Sequence, residues 1–534
     1  MSIQSNTILI TAGRVYGHSD TSDRPAAADI LIPAAADILI IGDRIEAVEP
    51  GLAEKLGGTV HGQPIGTLID ARDHLVLPGL VNAHYHSHDT LLKGCFETIP
   101  RETWLLNALP PNYSRRSPAE IRARTLLGAV ECLRAGITSV QDMLTMAPMD
   151  ADDIDVALQA YADVGIRCVF SLQTGDVHGA KVTPFWEEIF PETVASGLSG
   201  VVSPDAGAAA LASELKALHA RFKGKSETIS WGLGPSSPER CTPAFLKALA
   251  RLAEETGMRV FTHIYESRAT TLIARQKFAA WNGSLVSYLA AHGMLGPQTT
   301  LAHGVWMLPA EIEQVAKAGA SVVLNPVGNL KTRSGVAPMA QYLAAGINLG
   351  LGCDNNSCSD AQNLFQAMKA FAGLAAVSNV QAERPTARDA LLAATAGGAQ
   401  ALGLQGAVGH IKPGFKADIA LLRLDDPAFI PFNNAARQAV FSECGRAVDT
   451  VLVNGRILVR NGRCTSVNEA ALRSQVEDAM GALREEIAAV SARTESLRPQ
   501  LAEAHRRTWD APLEVNRYVG GALPADAVSA TKIN

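Results

Sequence analysis

Eight apolar runs of strand length follow one another between Leu77 and Asp354: LPGLVNAHYH, TSVQDM, RCVFSLQ, ISWGLGP, RVFTHIYE, TTLAHGVW, SVVLNP and INLGLGCD. Helix-like stretches separate them, such as PAEIRARTLLGAVECLRAG before Ile137 and PAFLKALARLAEETG before Met258. The second ends at Gly257, a C-terminal cap signal. Strands that are apolar almost throughout are buried on both faces, and alternation with helices makes them parallel. Eight such units close into a barrel. The expected fold class is therefore α/β: a (β/α)8 TIM-like barrel.

The flanks have a different texture. TILITAGRVYG and DILIIGDRIEAVEP near the start read as short strands, with a tight turn at Gly42-Asp43. ADIALLRL and VDTVLVNGRILVRNGR near the end read as strands again, with hairpin signals at Asn454-Gly455 and Asn461-Gly462. The two flanks are expected to build one small β-sandwich. The expected domains are 1–75 (first part of the sandwich), 76–405 (barrel), 406–465 (second part of the sandwich) and 466–534 (a helical extension). AAADILI occurs at 26–32 and again at 34–40, which reads as a local duplication in a loop or edge strand. In the extension, Ser466-Val467-Asn468-Glu469 has capping-box spacing. Leu472, Val476, Met480, Leu483, Ile487 and Val490 then recur at helical intervals. That face packs either on its own barrel or on a second subunit, and the second alternative makes a homo-oligomer expected.

Composition excludes several function classes. The net charge of −6 has no basic patch within it, and aromatic residues are only 5%, so no nucleic-acid partner is expected. The start, MSIQSNTILITAGRV, lacks the basic and apolar regions of a secretory signal, and no apolar run is long enough to span a bilayer. Eight cysteines are scattered without a CxxC pair. Reduced thiols, a cytoplasmic location and a small-molecule substrate are expected.

Chemistry concentrates at the strand ends. His84 and His86 stand two apart at the end of the first run, so both imidazoles face the same side. His263 ends the fifth run, His303 the sixth and Asp354 the eighth, and Glu266 follows His263 by three. Active sites of such barrels are built where the strands finish. A metal-centred site at the barrel mouth follows.

PGLVNAHYH, FTHIYE, LAHG and LGLGCD together resemble the motifs of the amidohydrolase superfamily, in its cytosine-deaminase and chlorohydrolase-like (triazine-hydrolase-type) branch. GAVGHIKPGFKADIALL is similar to that family's C-terminal strand motif. The resemblance runs to about Arg463. It implies that His84, His86, His263 and Asp354 hold one divalent metal, zinc first and iron(II) second. It further implies that Asp354 takes a proton from the attacking water, that Glu266 shuttles protons and that His303 hydrogen-bonds the water or the substrate. Three neutral imidazoles and one carboxylate leave the cation positive with an open position, and its charge lowers the pKa of bound water from about 16 to about 7. Two-metal relatives carry a modified lysine at the end of the fourth strand. ISWGLGPSSPE has none, which favours one metal.

The pattern also departs from the family. Where nucleoside-type deaminases carry a PHAPYT-like string, this chain has Pro235-Ser236-Ser237-Pro238-Glu239. The missing histidine speaks against a nucleoside. The loop HDTLLKGCFETIPRETW is expected to cover the pocket. Candidates for substrate contact are His88, Lys93, Phe96, Trp104, Gln173, Trp306 and Asn355. Asp89 is a further polar neighbour, and His178 faces either solvent or the pocket. The expected reaction is hydrolytic deamination of a nitrogen heterocycle. The alternatives are amide, urea or carbamate cleavage in an aromatic compound, then hydrolytic dehalogenation, then a non-catalytic scaffold.

Overall fold

The computed structural model describes residues 7–17, 35–190, 204–378 and 383–518. The eight expected runs form the eight barrel strands: Leu80–His86, Ile137–Leu144, Arg167–Thr174, Ile229–Pro235, Arg259–Ile264, Thr299–His303, Ser321–Leu324 and Leu349–Leu351, the last resuming at Asp354–Asn355. All neighbours are parallel, for example Phe170 beside Asp142, His263 beside Ala302 and Leu324 beside Leu351. Every residue of the first and second strands is buried, which is why they read as unbroken apolar runs.

The eighth strand closes the barrel in two pieces. Leu349–Leu351 pairs with the seventh strand, and Asp354–Asn355 pairs with Tyr85 and His86 of the first. Between them the chain passes the base of His84 so closely that a Cβ on Gly352 would lie 2.7 Å from His84 Cβ and 2.3 Å from Asn325 Oδ1. Only glycine fits there. Asn82 Oδ1 accepts from the Cys353 amide at 2.9 Å, and Gln362 Nε2 donates to the Asp354 carbonyl at 2.9 Å, so side chains complete the seam.

The helices start and stop where their caps predict. Ser117 accepts from the Glu120 amide at the head of Pro118–Arg134. Thr242 accepts from the Phe245 amide at the head of Pro243–Thr256, which Gly257 ends in the left-handed conformation.

Both flanks contribute to a separate mixed sheet of nine strands. Ile8, Ile10, Ile38 and Ile40 from the start meet Ile419, Leu421 and Leu452 from the end in one core. The turns at Asn454-Gly455 and Asn461-Gly462 have both residues at positive φ, as a tight hairpin turn requires. The run that begins at Leu77 divides between the two bodies. His74–Pro78 belongs to the mixed sheet, and the barrel strand begins at Leu80, beyond Gly79. Of the AAADILI pair, the copy at 26–32 lies outside the described residues. The second copy, from Ala35 onward, lies in Ala35–Ile41, an inner strand between Thr7–Val15 and Arg44–Glu49, not at an edge.

In the extension, the helix Glu469–Ser496 is capped by Asn468, whose side chain accepts from the Ala470 and Ala471 amides, and not by Ser466. Glu469 reaches back to the Cys464 amide instead. The helix packs on Arg101–Ala108 and Pro118–Arg134, with Leu472, Leu483 and Val490 buried and Val476, Met480 and Ile487 partly so. The expected apolar face is thus covered by its own chain, and this helix gives no support to a second subunit. A further helix, Arg498–Asp510, returns against Arg268–Lys277. Among the described residues, no helix is long and apolar enough to cross a membrane.

Leu483 is 4% exposed in the cluster that joins the extension to Leu91, Leu92 and Trp104. Leu483→Ala is expected to cost about 2–4 kcal/mol, read as a lower urea midpoint. An unchanged midpoint would mean that the extension does not pack as described.

Candidate active site

Six side chains from four strand ends converge at the mouth of the barrel. His86 Nε2 lies 3.2 Å from His84 Nε2 and 3.3 Å from His263 Nε2, and Asp354 Oδ1 stands 3.5 Å from both His84 Nε2 and His86 Nε2. The far sides of two rings are committed. His86 Nδ1 donates to the Met143 carbonyl at 2.7 Å and His263 Nδ1 to the Ser236 carbonyl at 2.5 Å. Their Nε2 atoms are therefore acceptors, and two acceptors 3.3 Å apart do not hydrogen-bond each other. Four donors around a tetrahedral zinc with bonds of about 2.0–2.1 Å stand about 3.3–3.4 Å apart. Four of the six separations in the cluster, 3.2–3.5 Å, lie close to that figure, and its donor types suit such a cation.

The second half of the site sits beside this cluster. His303 Nε2 is 3.9 Å from Glu266 Oε2 and 3.9 Å from Asp354 Oδ2. The other ring nitrogen is 2.9 Å from Asn329 Oδ1. Both His303 (φ 73°) and Asp354 (φ 62°) have left-handed backbones, which turn these side chains into the mouth just where their strands end. Glu266 accepts a hydrogen bond from Arg101, and both partners are buried. Burial favours the neutral imidazoles: His84 is held below its ordinary value, His86 down to about 4 and His263 well below. Burial pushes Asp354 up, yet the histidines around it overcome that and hold it well below the usual carboxylate range.

A cleft of about 1040 Å³, counting its open mouth, leads to these groups. Its lining includes the apolar side chains of Trp104, Leu105, Leu106, Leu109, Val182 and Phe190 and the polar ones of Gln173, His178, Ser236, Arg240 and Asn355. Trp104, Gln173 and Asn355 are thus placed on the cleft as expected, and His178 takes its pocket-facing alternative. Trp104 is also an anchor, donating through Nε1 to Ser357 Oγ at 2.8 Å.

The structure places four candidates elsewhere. Lys93 is exposed and bridges Glu131 at 2.7 Å. Phe96 packs into the apolar cluster under the C-terminal helix. Trp306 is fully buried and donates to the Ser334 carbonyl at 2.6 Å, because the chain reverses at His303-Gly304 and leaves the mouth. His88 lies behind His86 and reaches Asn355 and the Thr145 amide. The cover comes from Arg101–Ala108 and Pro110–Asn112, later in the loop than Lys93 and Phe96. Asp89 is structural. Its two oxygens accept from the Asn356 amide at 3.1 Å and the Ser357 amide at 3.0 Å, tying the loop after His86 to the loop after Asp354.

Arg101, Ser236 and Arg240 were not singled out from the sequence. Arg101 is 165 residues from the carboxylate it pairs with, so no local spacing reveals it. Ser236 and Arg240 fall in and just after the stretch that departs from the nucleoside-type string, which was the available signal.

Residues 75–458 match the amidohydrolase family. The chain belongs to that family. It is a metal-dependent hydrolase acting on carbon–nitrogen bonds other than peptide bonds. It is 31% identical over 424 residues to a 5-methylthioadenosine/S-adenosylhomocysteine deaminase of Thermococcus kodakarensis, covering 79% of this chain and 89% of that one. It is 31% identical over 439 residues to a 5'-deoxyadenosine deaminase of Methanothermobacter thermautotrophicus, covering 82% and 94%. Among solved structures, an adenosine deaminase from Xanthomonas campestris with bound zinc superposes with a TM-score of 0.75 at 25% identity, over 90% of this chain and 98% of that one. A triazine hydrolase from Arthrobacter aurescens superposes with a TM-score of 0.76 at 25% identity, over 89% and 99%.

Two outcomes test this geometry. In Asp89→Asn an NH2 group replaces one accepting oxygen and leaves a backbone N–H without a partner. The expected cost is about 1–3 kcal/mol, read as a lower unfolding midpoint together with weaker retention of a divalent metal. No change in either would remove Asp89 from its structural role. In metal-free protein, His86 titrates at about 4 when folded and at an ordinary 6.5 when unfolded. The unfolded chain then binds more protons in that window, so stability is full above 6.5 and is lost as pH falls toward 4. Urea midpoints of chelator-treated protein at pH 7 and pH 5 measure the fall, and equal midpoints would contradict it.

Proposed function

We propose that this amidohydrolase is a mononuclear metal-dependent aminohydrolase that removes an amino group from a nitrogen heterocycle as ammonia. The observation that carries the reading is the placement of His303 between Glu266 and Asp354, beside the histidine cluster. The two donor groupings at the mouth, His84 with His86 and His263, and His84 with His303 and Asp354, share His84 and so describe one centre. A divalent cation held by His84, His86, His263 and Asp354, zinc first and iron(II) second, would supply a Lewis acid that polarises the attacking water.

The two oxygens of Asp354 face different ways, Oδ1 to His84 and His86 and Oδ2 to His303. Oδ1 suits ligation, and Oδ2 is left to take the proton of the attacking water. Glu266 faces the same space from the fifth strand and passes protons to the ring nitrogen and then to the departing amine. His303 orients the added oxygen. A C–O bond forms as one water proton is delivered to the ring nitrogen, where it stays; the second passes to the amino group, the C–N bond breaks, and ammonia leaves with the carbonyl formed on the ring.

Relatives named as deaminases of adenine-type compounds support a purine-like ring. Ser236 stands where nucleoside-type members have histidine, so recognition of a ribose is not carried over. A cleft of this size holds a fused ring with a substituent. All eight cysteines are free and five are buried, which suits a reducing cytoplasm.

The test combines metal content with an ammonia-release screen over heterocyclic amines, aryl amides and ureas. About one zinc or iron per chain and ammonia from a ring amine are expected. Glu266→Gln should keep the metal and lose about 10²–10⁴ in kcat, whereas Asp354→Asn should lose both metal and turnover. An organic amine released from an amide or urea, with ring amines untouched, would replace this reading. Full turnover in Glu266→Gln would overturn the mechanism.

A further inference from the structure

The lining of the cleft has an excess of hydrogen-bond donors at one point. Arg240 lines it, with Nη1 donating to Ser236 Oγ at 3.2 Å and Nε to the Val177 carbonyl at 3.4 Å. Both acceptors are neutral. Among the described residues, no carboxylate lies within ion-pair distance of Arg240. Glu239 beside it in sequence is buried off the cleft lining and makes no such pair. Arg240 is half-buried, and the Glu239 carboxylate, whose own oxygens have no hydrogen-bond partner, acts on it without direct contact. A ligand carboxylate reaching the guanidinium would therefore gain charge-assisted hydrogen bonds that no side chain now makes.

Ser236 extends the same surface. Its Oγ accepts from Arg240 Nη1 and also from Gln173 Nε2 at 2.9 Å. Both lone pairs of the hydroxyl are then used, and its proton has no acceptor among the described residues. Gln173 is itself fixed by Thr145 Oγ1, which donates to its Oε1 at 2.8 Å. The Ser236 carbonyl meanwhile holds His263. The donor pair therefore sits one residue from the reacting centre, in a lining whose groups are locked. The same cleft is also lined by Trp104, Leu105 and Phe190. A ring seated at the mouth with an arm along this cleft could bring the end of the arm to the Arg240 guanidinium and the Ser236 hydroxyl.

We propose that Arg240 and Ser236 form a subsite for a carboxylate on the substrate, so that the enzyme acts on heterocyclic amines that bear an anionic side arm. The inference rests on the aminohydrolase reading above and narrows its substrate class. Arg240 is the specificity-determining group, because its planar fork matches two carboxylate oxygens.

The test uses zinc-loaded full-length protein and two adenines that differ only in the arm on the imidazole nitrogen, carboxypropyl or butyl. Ammonia release gives kcat and KM, and calorimetry gives binding. The acid is expected to show a KM lower by about tenfold or more. Arg240→Leu should raise KM for the acid about ten- to hundredfold and make the two arms equivalent. Arg240→Lys should recover part of the preference. Circular dichroism confirms that each variant folds. Equal KM and equal binding for the two arms in the unsubstituted protein, or a preference that survives Arg240→Leu, would overturn the subsite and leave the deaminase reading standing. If neither adenine releases ammonia, the deaminase reading fails for this ring. Calorimetry then decides the subsite alone: tighter binding of the acid that is lost in Arg240→Leu supports it, and equal binding overturns it.

Discussion

Bringing three imidazole nitrogens and a carboxylate oxygen together, with His86 Nε2 within 3.5 Å of each of the other three, is the constraint on which the rest of the barrel turns. Their lone pairs repel in a buried site, so the scaffold must hold them from behind. The Met143 and Ser236 carbonyls do this for His86 and His263, each offered by the end of a neighbouring strand. Second partners of this kind fix both the ring orientation and the tautomer. The parallel register is therefore part of the site's chemistry. A one-residue slip of the second strand would withdraw Met143 and turn its side chains to the other face. Gly352 belongs to the same constraint, since any side chain there would push the eighth strand off His84 and move Asp354 with it.

The strands and the polar groups at their ends were legible for one physical reason. A strand buried on both faces leaves almost no place for a polar side chain except its C-terminal end, so His84, His86, His263, His303 and Asp354 stood out against apolar runs. The cleft walls were not legible, because loops build them and loop geometry depends on distant partners. Trp306 sits in the run that carries His303, but the left-handed turn at His303 and Gly304 sends it into the core beside Arg268 and Trp509. Arg101 opens a short helix whose sequence says nothing of Glu266. Lys93 and Phe96 fell in the correct loop, but the part that covers the cleft begins after them.

The extension shows how helical periodicity identifies a face without naming what covers it. Its apolar positions were plain in the sequence, and a second subunit and the chain's own barrel satisfied them equally well. The structure covers them with the helix that opens at Arg101 and with Pro118–Arg134. Thr494 Oγ1 also donates to the Leu106 carbonyl, and Arg493 donates to the Asn112 carbonyl at 3.2 Å. The apolar lining of the cleft is thus backed by a segment that lies beyond the residues matched to the family.

That arrangement bears on how one metal site serves different chemistries. The proposed ligand cluster is fixed by strand ends. Glu266 and Asp354 are fixed with it, one by the turn after the fifth strand and the other by the seam of the barrel. What remains free to change is the wall, and here it is set by two things the metal does not touch: Arg101–Ala108, backed by the extension, and the Ser236–Arg240 segment, which spends its backbone on His263 and its side chains on the cleft. Ser236 links the two, its carbonyl holding His263 and its hydroxyl accepting from Gln173 and Arg240 on the cleft.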